Sequence, residues 1–179
     1  MLNKFSFFLI FSLFMSDSDA LIFDFTKDSN LSSWRIVDDV VMGGRSSGEF
    51  YLNKNGNAVF TGKVSLDNYG GFSSVRHQFN TKDVSQFKKI QIRLKGDGKT
   101  YQFRIKNRRR DYYSYITSFK TSNEWETISI MMSDMYPAFR GRNLNMDNLK
   151  PNKIQEIAFL IGNKKAETFR LEIDSISLQ

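Results

Sequence analysis

The chain has 179 residues, 40% of them hydrophobic and 15% aromatic, with 26 Lys and Arg against 19 Asp and Glu for a formal net charge of +7. That length fits one domain burying roughly 70% of its unfolded surface, so neither a metal nor a disulfide is needed for folding. The absence of cysteine excludes disulfides, thiolate metal sites and cysteine nucleophiles, while 17 Phe, 2 Pro and no low-complexity tract point to a packed, strand-rich domain.

At the start, Lys4 precedes an apolar run, Phe5 to Met15, broken only by serines, and Ser18-Asp19-Ala20 follows. This pattern predicts a signal peptide over 1–20, or an uncleaved anchor, and a single domain over 21–179. It predicts an exported chain, periplasmic, secreted or membrane-associated, rather than a mitochondrial one, because the segment has no arginine and carries Asp17 and Asp19. The remaining chain is basic. Such charge serves solubility or draws the chain to an anionic membrane, an acidic glycan or an acidic protein; nucleic acid is not expected for an exported chain.

Leu21 to Phe25 reads as a short strand, and Lys27 to Asn30 as a polar turn. Residues 34–48 then fit neither a helix nor an alternating strand: Asp38-Asp39 adjoins Val40-Val41-Met42, followed by Gly43-Gly44, Arg45, two serines and Gly48. Glycines allow positive φ or close approach of another backbone, and Asp and Ser side chains bond nearby amides, so the segment reads as a shaped loop. Asn55-Gly56 between Glu49–Asn53 and Ala58–Leu66 predicts a hairpin. Phe72 to Phe79 is the next strand, with Val75, His77 and Phe79 on one face.

One helical turn is expected over 83–87. Ile90, Ile92 and Leu94, then Tyr101, Phe103 and Ile105, alternate with polar and basic residues, and with Tyr112–Phe119 they predict a three-strand meander. Periodicity returns in Trp125 to Met131 and is lost from Ser133 to Asn152, a stretch containing Tyr136-Pro137-Ala138-Phe139-Arg140-Gly141-Arg142; loops this long are usually functional or mobile. Ile154–Ile161 and Phe169–Leu178 read as a closing hairpin. Short strands with turns every 8 to 12 residues predict an all-β, antiparallel β-sandwich, best arranged as a jelly roll.

Chemistry is harder to assemble. The single histidine, His77, shares a face with Val75 and Phe79, which favours a structural role. Adjacent Asp38 and Asp39 on an extended chain point to opposite faces, so they read as loop braces rather than a shared carboxylate site. Asp97, between two glycines, reads first as a turn residue, although carbohydrate-binding sandwiches place ligand-contacting acids on such loops. Arg93, Arg104 and Lys106 can make a basic sheet face. No phosphate-binding or dinucleotide fingerprint is present, and no cofactor, metal or catalytic residue is expected.

Trp34 through Gly48, with Asp38-Asp39-Val40-Val41-Met42-Gly43-Gly44-Arg45-Ser46, resembles the signature of the complex I intermediate-associated protein family. Val59 to Leu66 with Gly70-Gly71-Phe72-Ser73-Ser74-Val75-Arg76 resembles its second block, and Leu94 to Tyr101 its third. Trp125, Phe139-Arg140-Gly141 and Phe169 to Asp174 complete the match; the tryptophan often found after that aspartate is absent. The resemblance implies a galactose-binding-like sandwich, related to carbohydrate-binding modules and without an established catalytic activity, whose mitochondrial members assist assembly of respiratory complex I. Two functions follow as expectations. One is a non-catalytic assembly or chaperone-like factor docking on a protein partner such as a membrane-complex subunit, in peripheral contact with anionic lipid. The other is an exported carbohydrate-binding module, with Tyr69, Tyr112 and Tyr136 as candidate sugar platforms. The candidate binding residues are Trp34, Asp38, Asp39, Met42 and Arg45 in the first block, Arg76 and Asp97 in the next two, and Tyr136, Phe139 and Arg140 in the long loop.

Overall fold

The computed structural model describes residues 20–179, so the leader expected over 1–20 lies almost wholly outside the described residues. In chain order the strands are β1 (Leu21–Asp24), β2 (Trp34–Asp38), β3 (Ser47–Leu52), β4 (Ala58–Val64), β5 (Ser73–Asp83), β6 (Lys89–Lys95), β7 (Thr100–Lys106), β8 (Ser114–Lys120), β9 (Trp125–Met131), β10 (Tyr136–Phe139), β11 (Arg142–Asn143), β12 (Lys153–Ile161) and β13 (Glu167–Leu178). They form two antiparallel sheets. The first runs β3-β4-β13-β6-β9 with β1 also on β13, and the second runs β11-β10-β8-β7-β12-β5-β2. This is the expected antiparallel sandwich of jelly-roll type.

Period-two patterning explains the core. Ile90, Ile92 and Leu94 of β6 and Tyr101, Phe103 and Ile105 of β7 are fully buried, while the alternate residues point away from the core. They pack with Ile157, Phe159, Leu171 and Ile173 between the sheets. The Asn55-Gly56 hairpin is present: Gly56 has φ +96, and β3 pairs with β4 from Ser47↔Lys63 to Leu52↔Ala58.

Three connections differ from the sequence reading. β6 lies in the first sheet between β13 and β9, while β7 and β8 lie in the second, so there is no three-strand meander. β12 pairs with β5 and β7, and β13 with β4 and β6, so the last two strands do not form a hairpin. In each case a short turn carries the chain to the facing sheet, and local turn chemistry does not distinguish that crossing from a fold-back in the same sheet. The helical turn expected over 83–87 is instead the end of β5 and a turn closed by Phe87 N–H to Val84 O at 3.1 Å.

The stretch 133–152 is also more regular than its sequence suggests. It holds β10 and β11, joined by a two-residue turn in which Arg140 (φ +49) and Gly141 (φ +76) are both left-handed, as a primed hairpin turn requires. Pro137 conceals β10 from a reading based on propensity, since proline is disfavoured in strand interiors.

Candidate functional site

The 34–48 segment carries the chain from β2 in the second sheet to β3 in the first, and residues 65–72 carry it back from β4 to β5. One carboxylate ties the two crossings together. Asp39, fully buried, accepts Ser46 N–H at 2.9 Å and the Ser46 hydroxyl through one pair of contacts, and Gly71 N–H at 2.6 Å and Phe72 N–H at 3.2 Å through another. Ser46 Oγ in turn accepts Ser65 N–H at 3.0 Å. Burial pushes the Asp39 carboxyl up, but the hydroxyl and the three amides outweigh it and hold the group below its ordinary range.

Glycine is demanded by this packing. A Cβ on Gly44 would stand 2.2 Å from Asp39 Oδ1, and one on Gly70 would stand 2.6 Å from Oδ2. Asp38 makes a second brace, accepting Gly48 N–H at 2.9 Å and the Ser73 hydroxyl at 2.6 Å. The two acids thus engage separate partner sets on successive residues.

The braces present what lies between them. Asp39–Met42 is one 3-10 turn ended by Gly43 at φ +92, and its apolar side chains face solvent: Val40 is 60% exposed, Val41 74% and Met42 57%. Leu66 is exposed and Tyr69 wholly so on the neighbouring crossing, where Asn68 and Tyr69 both hold positive φ. Arg45 is exposed and makes no hydrogen bond or ion pair among the described residues. Val40, Val41 and Leu66 were not among the candidates. The available signal was an apolar triplet too short for a strand, held between two acids and two glycines.

The other candidates are dispersed. Trp34 is buried, stacked on His77 at 4.5 Å and 11° and on Phe50 at 5.0 Å, so its ring surface lies within the core. Burial takes His77 down to about 4, against a smaller opposing effect of Ser33. Asp97 accepts Lys99 Nζ at 2.7 Å, the Tyr101 hydroxyl at 3.0 Å and Arg170 N–H at 3.0 Å, fastening the β6–β7 crossing to β13. Burial, reinforced by the charge and hydrogen bond of Asp97, raises the Tyr101 hydroxyl strongly. Phe139 packs edge-on to exposed Tyr112 at 5.3 Å and lies under the Arg140 guanidinium, also at 5.3 Å. Arg76 and Tyr136 lie on the outer face of the second sheet. Arg93 does not join Arg104 and Lys106 in one basic face: it belongs to the first sheet, over the Trp125 ring, while they belong to the second. Among the described residues no three His, Cys, Asp or Glu side chains converge as a metal site.

Comparisons with known proteins match the sequence to a family and the fold to solved structures. The family described as complex I intermediate-associated protein 30 matches residues 23–173. A mouse relative, "Complex I intermediate-associated protein 30, mitochondrial", is 26% identical over 181 aligned positions, covering 88% of this chain but only 55% of its own length. Two structures of the family 11 carbohydrate-binding module of Clostridium thermocellum superpose with TM-scores of 0.67 and 0.63. Their identities are 19% and 18%, and they cover 88% and 89% of this chain and 92% and 94% of their own. At such identity the likeness shows the galactose-binding-like fold alone.

The mouse relative's mitochondrial designation overturns the expectation of export. An apolar run establishes that a segment is hydrophobic and does not establish its address, and residues 1–19 lie outside the described residues.

Proposed function

The chain belongs to the complex I intermediate-associated protein 30 family, and on that premise we propose that it is a non-catalytic assembly factor that docks on a protein subunit of a membrane complex. The observation that carries the reading is the Val40-Val41-Met42 tip, three exposed apolar side chains on a turn held by the Asp38 and Asp39 braces. Apolar side chains fixed in solvent lose little conformational entropy when a partner covers them. A non-catalytic role is supported by the engagement of the candidate acids: Asp38, Asp39 and Asp97 each accept donors from different turns, and His77 is stacked within the core. A photo-crosslinking residue at position 41 tests the reading. Adducts with respiratory complex I subunits are expected, and their absence under conditions that crosslink the subunits to one another contradicts it.

A second reading, a glycan-binding module, draws on the exposed Tyr112 ring braced edge-on by Phe139, an arrangement suited to stacking on a sugar. A glycan array without hits rejects it.

A further inference from the structure

The pairing register of the second sheet places six residues in one row across its outer face. Arg35 of β2 is opposite Arg76 of β5, Arg76 is opposite Ala158 of β12, and Ala158 is opposite Arg104 of β7. Ile116 of β8 and Tyr136 of β10 continue the row. Arg76 and Arg104 therefore flank a methyl group, with their Cα atoms about 10 Å apart, two interstrand steps. Both line a shallow, open cleft with Ser74, Ser114, Glu156 and Leu160.

The cleft holds more positive than negative charge. Its lining has two cations, Arg76 and Arg104, and one acid, Glu156, while Arg35 and Lys106 add positive charge nearby on the same outer face. Glu156 is itself engaged by Gln78 Nε2 at 2.6 Å. Burial, and after it repulsion from Arg76, lowers Arg104 to about 10. Burial likewise lowers Arg76 and Lys106. Arg104 donates to Gln102 Oε1 through Nε at 3.1 Å and Nη2 at 2.6 Å, and makes no ion pair among the described residues. Two half-buried cations that share one acid still repel one another, and an anion between them relieves that repulsion.

We propose that this cleft is a binding site for a phosphate monoester, gripped by Arg76 and Arg104 over the Ala158 floor, with Ser74 and Ser114 lining it. One guanidinium fork saturates the two oxygens of a carboxylate. Guanidinium groups on both sides of the cleft match the three oxygens and near double charge of a phosphate monoester. An opening this shallow takes the phosphate group at its mouth, between the two guanidinium groups, and leaves the rest of the ester in solvent. The ester is either a free small molecule or an exposed lipid headgroup. The site lies on a different surface from the Val40–Met42 tip and does not depend on docking there.

The test titrates the full chain at low salt with glycerol 3-phosphate by calorimetry, and measures sedimentation with phosphatidylcholine vesicles containing or lacking phosphatidic acid. Glycerol 3-phosphate is expected to bind, and Arg76→Gln and Arg104→Gln each to weaken it about ten- to a hundredfold. Arg93→Gln, on the other sheet, leaves it unchanged. Ala158→Leu, which fills the floor while keeping every charge, also abolishes it, so the site remains testable if either arginine variant fails to fold. Sedimentation with phosphatidic acid that glycerol 3-phosphate competes away assigns the lipid source; binding of the soluble ester alone assigns a free metabolite. The proposal is overturned if neither probe binds, if glutarate binds as tightly as the phosphate ester, or if Arg93→Gln weakens binding as much as Arg104→Gln.

Discussion

Asp39 and Gly71, thirty-two residues apart, meet in a 2.6 Å hydrogen bond between a buried carboxylate and a backbone amide. That contact joins the two crossings between the sheets, and the Ser46 contacts with Asp39 and Ser65 complete the knot. Asp39→Ala removes the acceptor while leaving the Gly71, Phe72 and Ser46 donors in a buried site. A loss of at least about 3 kcal/mol is expected in denaturant unfolding. Asp39→Asn is expected to lose less, because one oxygen remains.

The two adjacent glycines separate space from conformation. Gly43 sits at φ +92 with nothing near a would-be Cβ, so Gly43→Ala is expected to cost only about 1 kcal/mol. Gly44→Ala places a methyl 2.2 Å from Asp39 Oδ1 and breaks the knot. A thermal melt is expected to rank Gly44→Ala well below Gly43→Ala, and equal melting temperatures would show that the carboxylate yields freely.

His77 makes stability depend on pH. Burial lowers it from 6.5 to about 4 in the folded chain, so between these values the unfolded chain binds a proton that the folded chain does not. Stability from this group is complete above pH 6.5 and declines as pH falls toward 4, by on the order of 3 kcal/mol. The neighbouring rings of Phe23, Trp34 and Phe79 offer no compensating charge. His77→Phe is expected to flatten that part of the pH profile of the urea midpoint, and a slope identical to that of the unsubstituted chain would assign it elsewhere.

Much of the sandwich was legible because alternation in Ile90–Leu94 and Tyr101–Ile105 determines which face is buried, whatever sheet the strand joins. Sheet membership was not legible: Gly96-Asp97-Gly98 reads as a fold-back turn, and only the distant bond from Arg170 N–H to Asp97 marks it as a crossing. The bracing of Asp38 and Asp39 was readable from their residue types and from the glycines that follow. Their partners Gly71 and Ser73 were not, being more than thirty residues away. Arg76 and Arg104 come together only through the pairing of β5 and β7 with β12, which no local pattern encodes.

The docking reading is tested most directly at the tip. Val41→Asp and Met42→Lys replace exposed apolar side chains and are expected to shift stability by no more than about 0.5 kcal/mol. Native-gel fractionation with mass spectrometry, applied to cells expressing each variant, measures comigration with complex I subunits. The unsubstituted chain is expected to comigrate with an assembly intermediate, and both variants, folded and equally abundant, to migrate alone. Undiminished comigration of both variants would contradict the docking reading.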